Sequence, residues 1–239
     1  MSFGSGVMSM TPQTIPYVVE RLLEPPTIMA ECEEGQKDPN GFDDYVVNRE
    51  ETEQFAKDLQ LILAMQKANR VDANFFPLPT TEQGLKEMVR SSGGKVYVAR
   101  LKNEIVGFLF AVTKPLALEL TYSDDEKKQA KALADVKAII DYWDTITVTN
   151  NGHKLKNSSY CLVVQLCVAK DYDRDKVGRQ IFEKFKMECG SKFNYLVSPG
   201  PMENVKGLGC AQFIQATAAM PATAIWSCKS HNAGCCTIL

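Results

Sequence analysis

The chain has 239 residues, 45% of them hydrophobic and 23% charged, which is an ordinary balance for a soluble globular protein. That length suits one large domain or one domain with extensions. The net charge of −2 excludes a global field that would attract nucleic acid. The best apolar run, residues 105–112, is far below the ~20 residues that a membrane helix needs.

Cysteine and histidine usage bears on metal binding and on the redox compartment. None of the eight cysteines forms a CxxC pair, and several lie in apolar segments. His153 and His231 have no partners at ligand spacing. We therefore predict reduced thiols in a cytoplasmic protein, with neither a disulfide framework nor a metal site. The GxxxxGK[ST] and GxSxG motifs are also missing from the sequence, which weighs against nucleotide triphosphatases and serine hydrolases.

The first half of the chain predicts an N-terminal extension, then helices. Residues 1–43 are rich in Pro, Gly and Glu and form the extension. A short strand at residues 45–47 precedes a helix capped by Asn48, and a second helix begins at Thr80. Apolar residues at helical spacing mark the buried faces: Phe55, Leu59, Ile62 and Met65 in the first helix, and Leu85, Met88 and Val89 in the second.

A hairpin and an insertion follow. Two strands, residues 95–101 and 105–112, flank a polar turn. Ser123 begins a further helix, and Asn151 with Gly152 predicts a second hairpin turn. This helix and hairpin belong to an insertion over residues 114–158.

The second half alternates strands and helices. We predict a strand at 160–168, a helix at 177–189, a strand at 193–198, a helical region ending near Met220, and a last strand at 223–227. Antiparallel pairs in the first half and alternation in the second predict a mixed α/β (α+β) fold. Its central mixed sheet carries helices on both faces.

The order of elements over about residues 45–227 resembles the GNAT superfamily of N-acyltransferases. Three sequence features carry the resemblance: the VGF of the hairpin at 106–108, the triplet Leu166-Cys167-Val168 that ends a strand, and the turn at 173–178. In that family, a strand ending in an L-A-V-like triplet runs into a turn of the form [QR]xxGx[GA] and then a helix. The amides of the turn and the helix N-terminus bind the pyrophosphate of CoA.

The resemblance implies acetyl-CoA as co-substrate and a set of binding residues. These are Leu166, Cys167, Val168, Arg174, Asp175, Lys176, Val177, Gly178, Arg179 and Asn204. Gly178 matches the last glycine of the turn, whereas Asp173 and Lys176 stand where the family has Gln or Arg and a glycine. Asn204 is assigned as the asparagine that follows the next strand and touches the CoA arm.

The implied reaction transfers an acetyl group to an amine of a small molecule or a protein. The family's usual carbonyl donor is a backbone N–H near Val168, where two strands part. Many members carry a tyrosine acid seven residues after the asparagine, where this chain has Ala211, so the acid and base stay unassigned. The insertion at 114–158 covers the acceptor groove or docks a partner. The alternative is a catalytically inactive binding module on the same fold.

The C-terminal tail, residues 228–239, carries a candidate lipidation site. Residues 236–239 fit the C-a-a-X form, and the terminal leucine favours geranylgeranyl on Cys236. Cys235 is a candidate for a second chain, because a single lipid anchors poorly. This predicts association with the cytoplasmic face of a membrane. The alternative is an unmodified, flexible tail.

Overall fold

The computed structural model describes residues 17–23, 49–68, 76–149, 152–200, 208–209, 212–217, 220–228 and 237–238. Five α-helices occur in these ranges: α1 Arg49–Ala68, α2 Glu82–Arg90, α3 Lys114–Ala117, α4 Glu126–Thr145 and α5 Arg174–Cys189. The strands are β1 Val18–Arg21, β2 Gly94–Leu101, β3 Glu104–Thr113, β4 Tyr160–Val168, β5 Tyr195–Pro199, β6 Gln212–Ile214, β7 Thr223–Ser227 and β8 Thr237–Ile238. In this part of the chain, no helix is long and apolar enough to span a membrane.

All these strands join one mixed sheet in the order β1-β2-β3-β4-β5-β7-β6-β8. The pairs from β1 to β4 are antiparallel, β4 and β5 are parallel, and β7 runs antiparallel to both β5 and β6. The two-residue strand β8 pairs in parallel with β6. The predicted mixed sheet is thus confirmed.

Helices cover both faces of the sheet, as predicted. On one face, α1, α2 and α4 pack their apolar residues against the sheet, among them Phe55, Leu59, Ile62, Leu85, Met88, Val136 and Trp143. On the other face, α5 contributes Val177, Ile181, Phe182 and Phe185. We call these the α1 face and the α5 face. The helical spacing in the sequence identified the buried residues of α1 and α2 correctly.

The two tryptophans of the chain lie on opposite faces. Trp143 of α4 is buried on the α1 face, where its indole N–H donates to Thr223 Oγ1 at 2.9 Å. Trp226 of β7 is buried on the α5 face and donates to the backbone oxygen of Leu208 at 3.1 Å. The insertion therefore docks on β7 through Trp143.

Three predicted helix starts were wrong, and for α2 and α4 the predicted capping residues, Thr80 and Ser123, are not the observed ones. The N-cap of α2 is Thr81, which accepts from Gly84 N–H, and that of α4 is Asp125, which accepts from Lys128 N–H. Helix α5 begins at Arg174 rather than at residue 177, because Asp173 caps it. Thr80 lies one residue and Ser123 two residues before the observed cap, and each is a residue type that can cap a helix, so residue type alone does not select between them.

The other differences fall in the insertion and near the C-terminus. The predicted helical region ending near Met220 is wrong over Gln212–Ile214, which form β6. The strand predicted at 193–198 is observed as Tyr195–Pro199. In the insertion, the predicted hairpin is reduced to one bridge between Thr147 and Lys154. The predicted strand at 45–47 and the predicted cap Asn48 lie outside the described residues, as does Asn151.

Gly107 of β3 lets α5 approach the sheet closely. A Cβ at this position would lie 3.0 Å from Ile181 Cδ1, 3.1 Å from the backbone oxygen of Cys167 and 3.3 Å from Val177 Cγ1. Each of these distances is tighter than ordinary carbon contacts, and one neighbour is backbone. The VGF segment of the hairpin is therefore a packing site for α5.

We expect Gly107→Val to destabilise the protein by about 1–3 kcal/mol, because α5 must move away from β3. Urea unfolding followed by circular dichroism measures the change. Gly200→Ala is the matched control, because a Cβ there has no neighbour within 4 Å among the described residues. Equal stability of the two variants would contradict the close approach of α5.

Candidate functional site

The sheet opens between its two central parallel strands. β4 and β5 pair only over Tyr160–Leu162 and Tyr195–Val197, although β4 continues for six more residues. On its other side, β4 stays paired with β3 as far as Val168. Along residues 163–168, β4 therefore continues without forming a ladder with β5. The triplet Leu166, Cys167 and Val168 lies along this opening, where the sequence predicted that two strands would part.

A β-bulge lies at the start of the opening. The β3–β4 register pairs Phe110 with Gln165 but Ala111 with Val163, so Val164 is the extra residue. A bulge kinks its strand and increases the local twist. This bulge lies two residues after the last β4–β5 pair, at Leu162, and it contributes to the divergence of the two strands. The sequence carries no residue type that marks its position.

Helix α5 begins at the same edge of the sheet. β4 ends at Val168, and a five-residue turn leads to Arg174, so the N-terminus of α5 lies beside the open end of β4. The N-terminus of a helix offers free amides and the positive end of its dipole to an anion. The opening and this helix terminus together form the candidate site.

Asp173 modifies the anion-binding capacity of that terminus. Its carboxylate accepts from the N–H of Lys176 at 3.0 Å, and its carbonyl accepts from Val177 N–H at 2.9 Å. Of the amides in the first turn of α5, those of Arg174 and Asp175 stay available to a ligand. The negative charges of Asp173 and Asp175 oppose an anion there, whereas Lys176 and Arg179 on the same helix are basic and exposed.

Gly178 lies one turn into the helix rather than in the turn before it. As the fifth residue of α5, its N–H belongs to the internal ladder of the helix. A Cβ at Gly178 would point toward the sheet, 3.5 Å from Leu166 Cδ2 and 3.7 Å from Val168 Cγ2. Both are ordinary contact distances. The structure thus brings the predicted residues of β4 and α5 together, while Asn204 and Ala211 lie outside the described ranges.

A side-chain contact fixes the far end of α5. The hydroxyl of Tyr97 on β2 donates a hydrogen bond to the Glu188 carboxylate. The Tyr97 ring packs edge-on against Phe185, with 5.6 Å between the ring centroids. The hydrogen bond from Tyr97 lowers the pKa of Glu188, and burial raises the pKa of Tyr97. This contact holds α5 across β2 and so sets where its N-terminus lies.

An ion pair fixes α1 on the opposite face. Arg100 of β2 makes two hydrogen bonds to the buried carboxylate of Asp58, Nη1 to Oδ1 at 3.0 Å and Nη2 to Oδ2 at 2.5 Å. Its Nε donates to Glu20 of β1 at 2.5 Å. Such two-pronged pairs add geometric precision as well as energy. Sequence reasoning missed this cluster, because its three residues lie on three separate elements.

The surroundings of the cysteines in the described segments indicate that these side chains have a structural role. Cys161 and Cys189 are buried free thiols, and Cys228 is partly buried. Burial raises the pKa of Cys189 and of Cys228 to about 11, so these groups are protonated at neutral pH. Within the described ranges, no three His, Cys, Asp or Glu side chains gather as metal ligands would.

A cavity of about 610 Å³ lies at the opposite end of β4. Its lining includes Ser91, Ser92, Lys114, Asp144, Ser159 and Tyr160. Asp144 accepts from Lys114 and, at 2.9 Å, from the Tyr160 hydroxyl, so its carboxylate links α4 to β4. None of the predicted cofactor residues that the structure describes lines this cavity, and β4 is still paired with β5 here. We therefore place the candidate site at the open end of the strands.

No protein-family model and no curated protein matches the sequence. Solved structures match in fold. They include smu.2055 from Streptococcus mutans UA159, 13% identical over 72% of this chain and 95% of that one, with a TM-score of 0.44. A GNAT family N-acetyltransferase (YhbS) from Escherichia coli in complex with CoA is 10% identical over 92% and 86%, with a TM-score of 0.45. FeeM, an N-acyl amino acid synthase from uncultured soil microbes, is 9% identical over 89% and 91%, with a TM-score of 0.42.

We expect Gly178→Ala to stabilise the protein by about 0.5–1 kcal/mol, since alanine favours a helix interior and the added Cβ meets only ordinary contacts. Urea unfolding measures the difference. A loss of stability would show that residue 178 does not lie inside a regular helix, and that α5 starts later than Arg174.

Proposed function

We propose that this chain is an N-acyltransferase that transfers an acetyl group from acetyl-CoA to an amine of a small molecule or protein. One observation carries the proposal. The pairing of β4 with β5 ends at Leu162 and Val197, beside the N-terminus of the helix that follows β4. A narrow ligand arm can enter a sheet between two diverging strands only where the strand-to-strand ladder has ended. The phosphates of such a ligand need a helix N-terminus close by.

The residues present fit the two chemical parts of acyl-CoA. The pantetheine arm carries amides, which can pair with the backbone of residues 163–168 as a strand would. The pyrophosphate would bind the amides of Arg174 and Asp175, with Lys176 and Arg179 as exposed cations. Leu166 and Val168 close the α5 side of the opening with apolar surface.

The reaction needs little covalent chemistry from the protein. The amine nitrogen attacks the thioester carbonyl carbon, the new C–N bond forms and the C–S bond breaks. The nitrogen loses one proton to solvent, and the departing CoA thiolate takes one up. A backbone N–H of β4 near Val168 polarises the carbonyl and stabilises the oxyanion of the intermediate. Holding the two reactants in contact supplies a large part of the rate. We assign no side chain as general acid or base.

Asp173 favours a second candidate function, a binding module on this fold that does not turn over acyl-CoA. Its carboxylate already accepts from the amide of Lys176, which a pyrophosphate would otherwise use. In such a module, the insertion at 114–158 or the C-terminal tail would carry the function. Affinity for acyl-CoA separates the two candidates.

We expect acetyl-CoA to bind the wild-type protein, and Asp173→Asn to bind it about threefold more tightly. Asparagine caps a helix as well as aspartate does, so the change removes the opposing charge and keeps α5 in place. A threefold gain corresponds to the interaction of one exposed charge with the phosphates through water. Isothermal titration calorimetry at low salt measures both dissociation constants.

Asp124→Asn serves as the control, because it removes the same charge from an exposed position on the insertion. Its affinity should equal that of the wild type. If neither the wild type nor Asp173→Asn binds acetyl-CoA or longer acyl-CoAs, the non-catalytic module becomes the better description.

The lipidation of Cys236, with Cys235 as a second site, stays a prediction, as does a location at the cytoplasmic face of a membrane. Both cysteines lie outside the described residues. Thr237 and Ile238 of the same motif pair with Gln212 and Phe213 of β6. A prenyltransferase must reach Cys236, so β8 would have to separate from β6 first.

We expect the intact mass of the protein from a eukaryotic host to increase by one isoprenoid chain, and Cys236→Ser to abolish the increase. Mass spectrometry with detergent partitioning makes the measurement. Cys235→Ser controls for the choice of cysteine and should keep the isoprenoid. An unmodified wild-type mass would overturn the prediction.

A further inference from the structure

The cavity at the closed end of β4 is a second concave surface, separate from the opening between β4 and β5. It lies where four neighbouring strands begin or end: Gly93 precedes β2, Thr113 ends β3, Tyr160 begins β4 and Phe193 comes just before β5. Its volume of about 610 Å³ falls within the range of small-molecule sites. The opening lies toward the other end of β4.

Both ends of the insertion form the wall of this cavity. Residues 114–116 directly follow β3, and Lys156 and Ser158 lead back into β4. Asp144, near the end of α4, joins the two sides, because its carboxylate accepts from Lys114 and from the Tyr160 hydroxyl. The cavity therefore depends on the insertion and not on the sheet alone.

Hydrogen-bond acceptors of the wall are already in use. The backbone oxygens of residues 91–93 accept hydrogen bonds at 2.8 to 3.1 Å. Those of Pro115 and Leu116 accept from amides in the next turn of the chain. Both carboxylate oxygens of Asp144 are bonded as well. The wall thus offers few acceptors to an N–H group of a ligand.

Hydrogen-bond donors of the wall remain available. The side-chain oxygen of Ser91 accepts from Gly93 N–H at 3.2 Å, and that of Ser159 accepts from Asn194 N–H at 3.1 Å. A serine hydroxyl that accepts in this way still has its own O–H to donate. The ammonium group of Lys114 has three donors, and its ion pair with Asp144 uses one of them. A wall of this kind favours a ligand with acceptor oxygens.

The charges on the wall limit the charge of that ligand. Lys114 and Asp144 form an ion pair and neutralise each other. Lys156 and Glu119 are exposed, and neither forms an ion pair with a residue that the structure describes. One cation is thus left for a ligand, and one carboxylate opposes excess negative charge. This balance suits a single negative charge better than two.

Part of the wall is apolar. Leu116 and Phe193 are half-buried, and each packs against one of the two hydrophobic layers of the protein. Apolar atoms of a ligand that cover such surface contribute to binding in proportion to the area removed from water. An inorganic anion has no such atoms.

We propose that this cavity is a second ligand site, which binds a small organic carboxylate with an apolar body. The carboxylate accepts from Lys156 and from serine hydroxyls of the wall, and the apolar body covers Leu116 and Phe193. The site is independent of the acyl-CoA opening, so it does not require the proposed transfer reaction.

Hexanoate and benzoate are the probes, with acetate, hexanamide and inorganic phosphate for comparison. Acetate keeps the charge without the apolar body, and hexanamide keeps the body without the charge. Binding to the isotope-labelled full-length protein is followed by two-dimensional amide NMR, which gives both the dissociation constant and the place of binding. Each titration is repeated with saturating CoA.

We expect hexanoate, benzoate or both to shift the amides of residues 91–93 and 158–160, with the same affinity when CoA is present. Acetate, hexanamide and phosphate should bind at least fivefold more weakly. Lys156→Gln should weaken binding about fivefold, as the loss of one exposed ion pair predicts. Glu119→Gln should strengthen it about twofold, because an opposing charge is removed.

Lys154→Gln is the matched control. Lys154 is an exposed lysine two residues before Lys156, and it does not line the cavity. Its replacement removes the same charge from the same segment and should leave the affinity unchanged.

Several outcomes would overturn the inference. These are no shifts with either carboxylate, the largest shifts at residues 166–168 or 174–175, or displacement of the carboxylate by CoA. Equal binding of hexanamide or phosphate would also do so, as would equal effects of Lys154→Gln and Lys156→Gln. The proposed function fails separately, since a protein that does not bind CoA can still bind a carboxylate at residues 91–93.

Discussion

The end of hydrogen bonding between β4 and β5 is the constraint on which the rest of the site depends. If β4 and β5 were paired along their whole length, their backbone groups would bond to each other throughout. No gap would then remain in the centre of the sheet for a ligand to enter. Here the pairing stops after three residues of β4, and a bulge follows two residues later, at Val164. The divergence ends the β4–β5 ladder along residues 163–168, and the N-terminus of α5 lies at the same edge of the sheet.

The two helical layers are fixed to the sheet by different means, and both bear on the site. On the α5 face, Gly107 permits close contact along the helix, and Tyr97 anchors its far end through Glu188. On the α1 face, Arg100 holds Asp58 of α1 by a paired ion contact that is largely removed from water. A helix held at its far end carries its N-terminus as a rigid body. The position of the first amides of α5 therefore depends both on the packing of Val177 and Ile181 at Gly107 and on the Tyr97 contact at the far end.

The sequence predicted much of this fold, for identifiable physical reasons. The extent of β4 and β7 and the buried faces of α1 and α2 follow from apolar periodicity, which depends only on neighbouring residues. The start of α5 was misplaced, because the family pattern assigned residues 173–178 to a turn, whereas Asp173 caps a helix that begins at Arg174. The opening of β4 and β5 was expected from the family resemblance. The Val164 bulge depends on the register with β3 and leaves no signal in local residue types. The cluster of Arg100, Asp58 and Glu20 joins residues far apart in the chain, so local sequence patterns could not predict it either.

The placement of the two tryptophans gives each helical layer its own spectroscopic reporter. Trp143 is buried with α1, α2 and α4 and stacks on Phe76 at 6.0 Å between centroids, whereas Trp226 is buried with α5 beside Phe182 at 4.9 Å. Their indole N–H groups donate to a threonine hydroxyl and to a backbone carbonyl, respectively. Replacing either one leaves a chain whose tryptophan emission comes from a single side of the sheet. Stopped-flow refolding of the two single-tryptophan chains thus resolves whether the layers assemble together or in sequence.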